Sequence, residues 1–234
     1  MNKNIFFALA CCAASFASQA GLIEYKDYSR ETTSTVVKTK HLQWLQWDQT
    51  RGMSIQTALA TYGSAGWTLA STSQMVALFN QFKFGHPGWV ETESKNQVAY
   101  DSWSSSENSS QNAFLRLFGV NRSLGCDEIT DPICYPAQDA HEETFAFFGS
   151  DANQNDRFNL ASVRDDLTEI SPDGIVHFDA FSRLSPDNFR VDQSFGNVGV
   201  ALVRANNTSA VVSMPASSGL LLLGFSALLW WRRR

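Results

Sequence analysis

Asp151-Ala152-Asn153-Gln154-Asn155-Asp156 places oxygen donors at alternate positions, as a calcium loop begins. An EF-hand then needs glycine at its sixth position for the sharp turn and a bidentate glutamate at its twelfth. Those positions hold Asp156 and Ser162, so the stretch is not an EF-hand. A polar Asx-rich turn is expected. An irregular calcium site is the competing reading, because hard cations need only clustered oxygens. Asp139, His141, Glu142 and Glu143 form a second acidic cluster. It lacks the second histidine of a helical zinc site with His at i and i+4. His177 and Asp179 fall on one face if their segment is extended, where they could share a metal. A solvated face is expected for both groups, and no metal ligand or cofactor is assigned.

Nucleophilic chemistry has little to draw on. There is no Gly-x-Ser-x-Gly elbow and no glycine-rich phosphate cradle. The four histidines have no partner evident in the sequence, and the serine run from Ser102 to Ser110 reads as a loop. A non-enzymatic protein is therefore expected. The alternative is a secreted hydrolase with a metal-assisted site at His141, Glu142 and Glu143 or at His177 and Asp179. Trp44 and Trp47 lie three apart in a Leu-Gln-Trp-Leu-Gln-Trp run. Packing into a core is the expectation there, and a sugar-stacking platform is the rival reading.

The elements that must position these groups change character along the chain. Thr33 to Thr39 alternates loosely, like an exposed strand, and Leu42 to Trp47 reads as a strand entering a core. Ser54 is placed to cap a helix through Tyr62, with Ile55, Ala58 and Leu59 on one face. Trp67 to Ala70 is a short extended piece. Ser71-Thr72-Ser73-Gln74 is a capping box, opening a helix with Met75, Leu78, Phe79 and Phe82 at helical spacing. Gly85-His86-Pro87-Gly88 stops that helix. Beyond residue 89 the period becomes two. Strands are expected over Asn112–Val120, Thr144–Phe148, Ile175–Phe181 and Val198–Arg204. Ser171-Pro172-Asp173-Gly174 and Ser185-Pro186-Asp187-Asn188 carry type I turn signatures. The sum is an α+β fold, two early helices packed on an antiparallel sheet.

Both ends carry hydrophobic segments of another kind. Residues 1–20 have a basic start at Lys3, an apolar stretch from Ile5 to Phe16, and Ser18-Gln19-Ala20 with small residues at −3 and −1. A secretory signal cleaved after Ala20 is expected; a first core helix is the competing reading. Leu9-Ala10-Cys11-Cys12 also loosely resembles a lipoprotein box. In residues 211–234 a small-residue hinge precedes an uncharged apolar run from Gly219 to Trp231, and Arg232, Arg233 and Arg234 follow. Basic residues after an apolar helix stay on the cytoplasmic side, and tryptophans favour the headgroup level. Thirteen residues of helix rise only about 20 Å, however, and a bilayer core asks for about 20 residues. A sorting segment read at the membrane and then removed, a retained anchor, and a buried terminal helix are the three readings, in that order.

Between these segments residues 21–210 form one exported domain. Loss of Lys3 and the terminal arginines takes the net charge from −5 to about −9, since every acidic residue stays. An acidic domain lacks the basic face that nucleic acid needs, so no nucleic-acid partner is expected. Cys126 and Cys134 bracket the acidic loop Asp-Glu-Ile-Thr-Asp-Pro-Ile. In an oxidising compartment a lone close pair most simply forms one disulfide, with a redox or metal role as the lesser reading.

Hinge, apolar helix and arginine cluster resemble the PEP-CTERM sorting tails of Gram-negative exported proteins. The family's Val-Pro-Glu-Pro-Ala appears as Val212, Ser213, Met214, Pro215 and Ala216. One proline is kept, and Met214 replaces the glutamate. The resemblance implies an exosortase-like sorting protease as partner, membrane contact through the tail before processing, and a final place at the cell surface or in the extracellular matrix. The body is similar to bacterial C-type-lectin-like domains. The pieces are Leu45-Gln46-Trp47, Gly66-Trp67-Thr68-Leu69-Ala70, Trp103-Ser104-Ser105 and Val200-Ala201-Leu202-Val203-Arg204. Thr68 and Ala70 depart from the arginine and proline that family tends to have. This second resemblance implies a fold that hosts sugar binding, protein binding and catalysis alike, and delivery to the cell surface or extracellular polymer layer makes polysaccharide the expected ligand class.

Overall fold

Three serines start three helices. In the computed structural model, which describes residues 21–92, 95–101, 109–124, 141–151, 154–166 and 180–206, Ser54 accepts a hydrogen bond from the Thr57 amide at the head of α1 (Ile55–Tyr62). Ser71 and Gln74 complete the expected capping box of α2 (Thr72–Phe82). Ser109 accepts from the Asn112 amide to open α3 (Ser110–Phe118). Each cap satisfies an amide that has no partner within its helix.

The third helix corrects the strand expected over Asn112–Val120. Alternation of Phe114, Arg116 and Phe118 mimics a period of two. The residues the helix buries include Ala113, Phe114, Leu117 and Phe118, which share one helical face. Gly119 ends the helix at φ +87°; a Cβ there would meet the Asp48 carboxylate at 2.5–2.8 Å. Arg30 donates from Nη2 to the Arg116 carbonyl at 2.6 Å, one of the last-turn acceptors left open.

Two sheets pack against these helices. The first runs β1 (Leu22–Tyr25), β2 (Tyr28–Glu31), β3 (Val36–Lys38), β4 (Leu42–Leu45), β12 (Leu202–Ala205) and β5 (Thr68–Leu69), all antiparallel. The second runs β11 (Gly199–Val200), β8 (His141–Phe148), β9 (Phe158–Asp166), β10 (Ala180–Phe189) and β6 (Gln97–Asp101), with β7 (Arg122–Leu124) on the start of β8. It is antiparallel except for β11, which lies parallel to β8. The α+β class expected from the sequence is thus seen; among the described residues there are two sheets in place of one and three α-helices in place of two.

The final strand crosses between the sheets. The run expected as one strand over Val198–Arg204 is divided at Ala201. Its amide donates to Phe147 in the second sheet, and its carbonyl accepts from Ala70 beside the first. Thr50 holds the crossing, accepting from the Val200 amide at 2.7 Å within a buried turn. Gly199 is required there: a Cβ would lie 2.0 Å from the Trp47 carbonyl oxygen.

The Ser185-Pro186-Asp187-Asn188 turn expected from composition is a second correction. It lies inside β10, where pairing jumps from Ser185–Leu160 to Phe189–Phe158. Three residues oppose Asn159, which is a bulge, and a bulge tolerates a proline that cannot donate to the ladder.

Aromatic residues fill the main core. Phe114 and Phe118 stack at 4.3 Å, and Phe82 and Trp47 meet Phe114 edge-on at 4.9 and 5.0 Å. Lys83 and Phe84 take positive φ after α2, which returns Phe84 to this cluster. A smaller apolar cluster lies on the other side of the first sheet. There α1 covers Leu45 and Leu202, with Trp67 beside them.

Candidate functional site

Register, not sequence proximity, assembles the polar groups. On the second sheet Arg122 faces Glu143, Glu143 faces Arg164, Arg164 faces Phe181, and Phe181 faces Tyr100. This row crosses five strands. Glu143 is 1% exposed, which corrects the solvated face expected for its cluster. Its carboxylate receives Arg164 Nε at 2.5 Å and faces Arg122 Nη1 at 3.6 Å. The Arg164 guanidinium also lies 4.7 Å from the Phe181 ring centre. Tyr100, at the end of the row, is 70% exposed.

The metal-assisted hydrolase meets an obstacle in this strand. Successive residues of β8 point to opposite faces, so Glu142 and Glu143 cannot converge on one ion. Asp139, His177 and Asp179 lie outside the described residues. In the Asp151–Asp156 stretch, which joins β8 to β9, Arg157 donates its amide to Asn155 Oδ1 at 2.9 Å. Gln154 and Asp156 sit at φ +57° and +59°. These are the marks of a tight Asx turn. Among the described residues no group of three or more His, Cys, Asp or Glu side chains is placed to hold a metal ion.

Trp44 and Trp47 are fully packed, each edge-on or tilted against Phe118. They are core, and the sugar-platform reading fails for both. Cys126, Cys134, Ala20, Ser213, Met214, Pro215 and Ala216 lie outside the described residues, as does Ser102–Asn108 of the serine run. Among the described residues no helix is long and apolar enough to cross a membrane.

The first sheet carries a different polar row. Lys38 pairs with Gln43, and Gln43 pairs with Arg204. The opposite face of the same strands holds buried Val37, Trp44 and Val203, so this row faces outward. It lies where the cover of α1 ends, at the three-residue 3-10 turn Gly63–Ala65 and the left-handed Gly66. A cavity of about 350 Å³ opens there, lined by Gln43, Ala65, Gly66, Arg204 and Ala205.

Arg204 is held from three sides. Nε donates to Gln43 Oε1 at 2.8 Å, Nη1 donates to the Ala65 carbonyl at 3.2 Å, and the guanidinium lies 4.4 Å from the Trp67 ring centre. Gln43 is itself oriented, donating from Nε2 to Asn206 Oδ1 at 3.1 Å, and Asn206 Nδ2 donates to the Thr39 carbonyl at 2.7 Å. All of these acceptors are neutral. Among the described residues no carboxylate pairs with Arg204. Reasoning from sequence missed this site. Trp67 and Arg204 were both visible as parts of short motifs, but they are 137 positions apart, and only strand pairing joins them.

No family model, curated protein or solved structure matches the chain.

Proposed function

We propose that this chain is an exported, non-enzymatic binding protein, sorted through a PEP-CTERM-like tail to the cell surface or extracellular matrix, where it engages polysaccharide. One observation carries the reading. The hydrophobic stretches Ile5–Phe16 and Gly219–Trp231 flank a domain whose described elements run from Leu22 to Ala205. The domain has its own aromatic core between those limits, so neither stretch is required to complete it. A signal at one end and a sorting segment at the other account for both.

A C-type-lectin-like arrangement is the finer fold reading that goes with it. It is supported by the meeting of three of the four resembling segments in adjacent strands. Leu45 ends β4, Leu202–Arg204 lie in β12, and Thr68–Leu69 form β5 on its other side. An outward cavity with an oriented arginine suits a binding role. The test is retention of the processed protein, recovered from the cell exterior, on the producing cell's own exopolysaccharide. Retention above a protein of equal charge supports the proposal, and equal retention with and without calcium chelation assigns the binding to the domain alone. Passage through the column unretained in both conditions overturns it.

A further inference from the structure

We infer that the Arg204 cavity is a carboxylate-recognition site, and that its ligand is an acidic sugar unit, a uronate, of the polysaccharide. The inference rests on the binding reading above and adds to it a place and a chemistry. A guanidinium presents a planar fork that matches a carboxylate in two parallel hydrogen bonds. Most surface arginines lose side-chain freedom when they make such a pair. Arg204 has already lost it: Gln43, the Ala65 carbonyl and the Trp67 face fix the plane of the fork. Nη2 keeps no protein acceptor among the described residues, and Arg204 lines the cavity.

Charge supports the same choice. The lining has no acidic side chain, and Lys38 stands in the same row two strands away. Lys38 meets Glu31 only at 3.9 Å, with both groups about half exposed, so its charge remains available at the surface. The domain as a whole is acidic, but at physiological ionic strength charges beyond about 8 Å are largely screened. The ligand therefore senses Arg204, which lines the cavity, more than carboxylates beyond that distance. The volume, about 350 Å³, sits at the small end of small-molecule sites, which run from about 300 to 1,000 Å³. One or two sugar rings suit it, and the indole under Arg204 makes the cation's position rigid.

The test is calorimetric titration of the full chain, purified in mild detergent, with trigalacturonate and with the neutral trisaccharide galactotriose. Trigalacturonate is expected to bind at least about tenfold tighter than galactotriose. Arg204→Gln is expected to abolish that preference. Because Arg204 also packs on Trp67, Ala65→Glu serves as a second variant. Ala65 is exposed and its side chain makes no hydrogen bond, so the new carboxylate occupies the cavity without disturbing the core. It is expected to weaken trigalacturonate by about tenfold at unchanged unfolding midpoint. Equal affinity for both trisaccharides, or trigalacturonate binding that survives Ala65→Glu, overturns the inference. If either result occurs while the producing cell's exopolysaccharide is still retained, the general binding reading stands and only the carboxylate site falls.

Discussion

Arg164 and Arg204 each stack on an aromatic ring on the exposed side of a sheet, yet they are built for different ends. Arg164 is joined to a carboxylate, Glu143, at 2.5 Å and lies on Phe181. Its charge is answered within the protein. Arg204 lies on Trp67 but, among the described residues, is joined only to an amide and a carbonyl. Neutral acceptors fix its direction, and no carboxylate among the described residues answers its charge. The difference teaches how to separate a structural arginine from a binding one. Both make several contacts; what distinguishes them is whether a counter-charge is among those contacts.

Glu143→Ala tests the structural side most severely. Removing one member of a buried ion pair costs about 3–5 kcal/mol where the partner charge stays buried. Arg122 and Arg164 are partly exposed and regain some hydration, so a loss of about 2–3 kcal/mol is expected, measured by urea unfolding. Trigalacturonate affinity of the folded fraction should not change. Arg164→Ala should cost about 1–2 kcal/mol through the lost pair and the lost Phe181 contact. The double variant with Glu143→Ala should show coupling of about 1 kcal/mol or more; additive losses would mean that the pair is not a unit.

The binding side should respond the other way round. Arg204→Gln is expected to cost under about 1 kcal/mol in unfolding, the scale of a partly exposed cation–π contact, while removing the uronate preference. A stability loss as large as that of Glu143→Ala would collapse the contrast. Gln43→Ala sharpens it further. Arg204 keeps its charge but loses its closest acceptor, so affinity should fall about threefold with only a few tenths of a kcal/mol in stability. An unchanged affinity would show that orientation of the fork is not part of recognition.

The reach of sequence reasoning follows the range of the interactions involved. The helices α1 and α2 were legible because their signals are local: Ser54, the Ser71–Gln74 box, and the Met75-Leu78-Phe79-Phe82 spacing all act within one or two turns. The third helix has an equally good cap in Ser109, but that cap is one serine among many, and Phe114-Arg116-Phe118 satisfies a period of two as well. The turn signature at Ser185–Asn188 was real chemistry put to another use, since a bulge and a turn want similar residues. The hairpin β1–β2, strand β9 and strand β6 were not foreseen, because their polar residues blur the alternation. The two arginine sites depend on register. Glu143 meets Arg164 across a hairpin, and Gln43 meets Arg204 across 161 positions. Nothing in either stretch of sequence announces its partner.

Export and sorting underlie the proposed function, and the intact mass of the protein recovered from the outside of the producing cell tests them most directly. A chain that begins at Gly21 and ends between Ser213 and Ala216 is the expected result. A chain running from Met1 to Arg234, found only inside the cell, would contradict it.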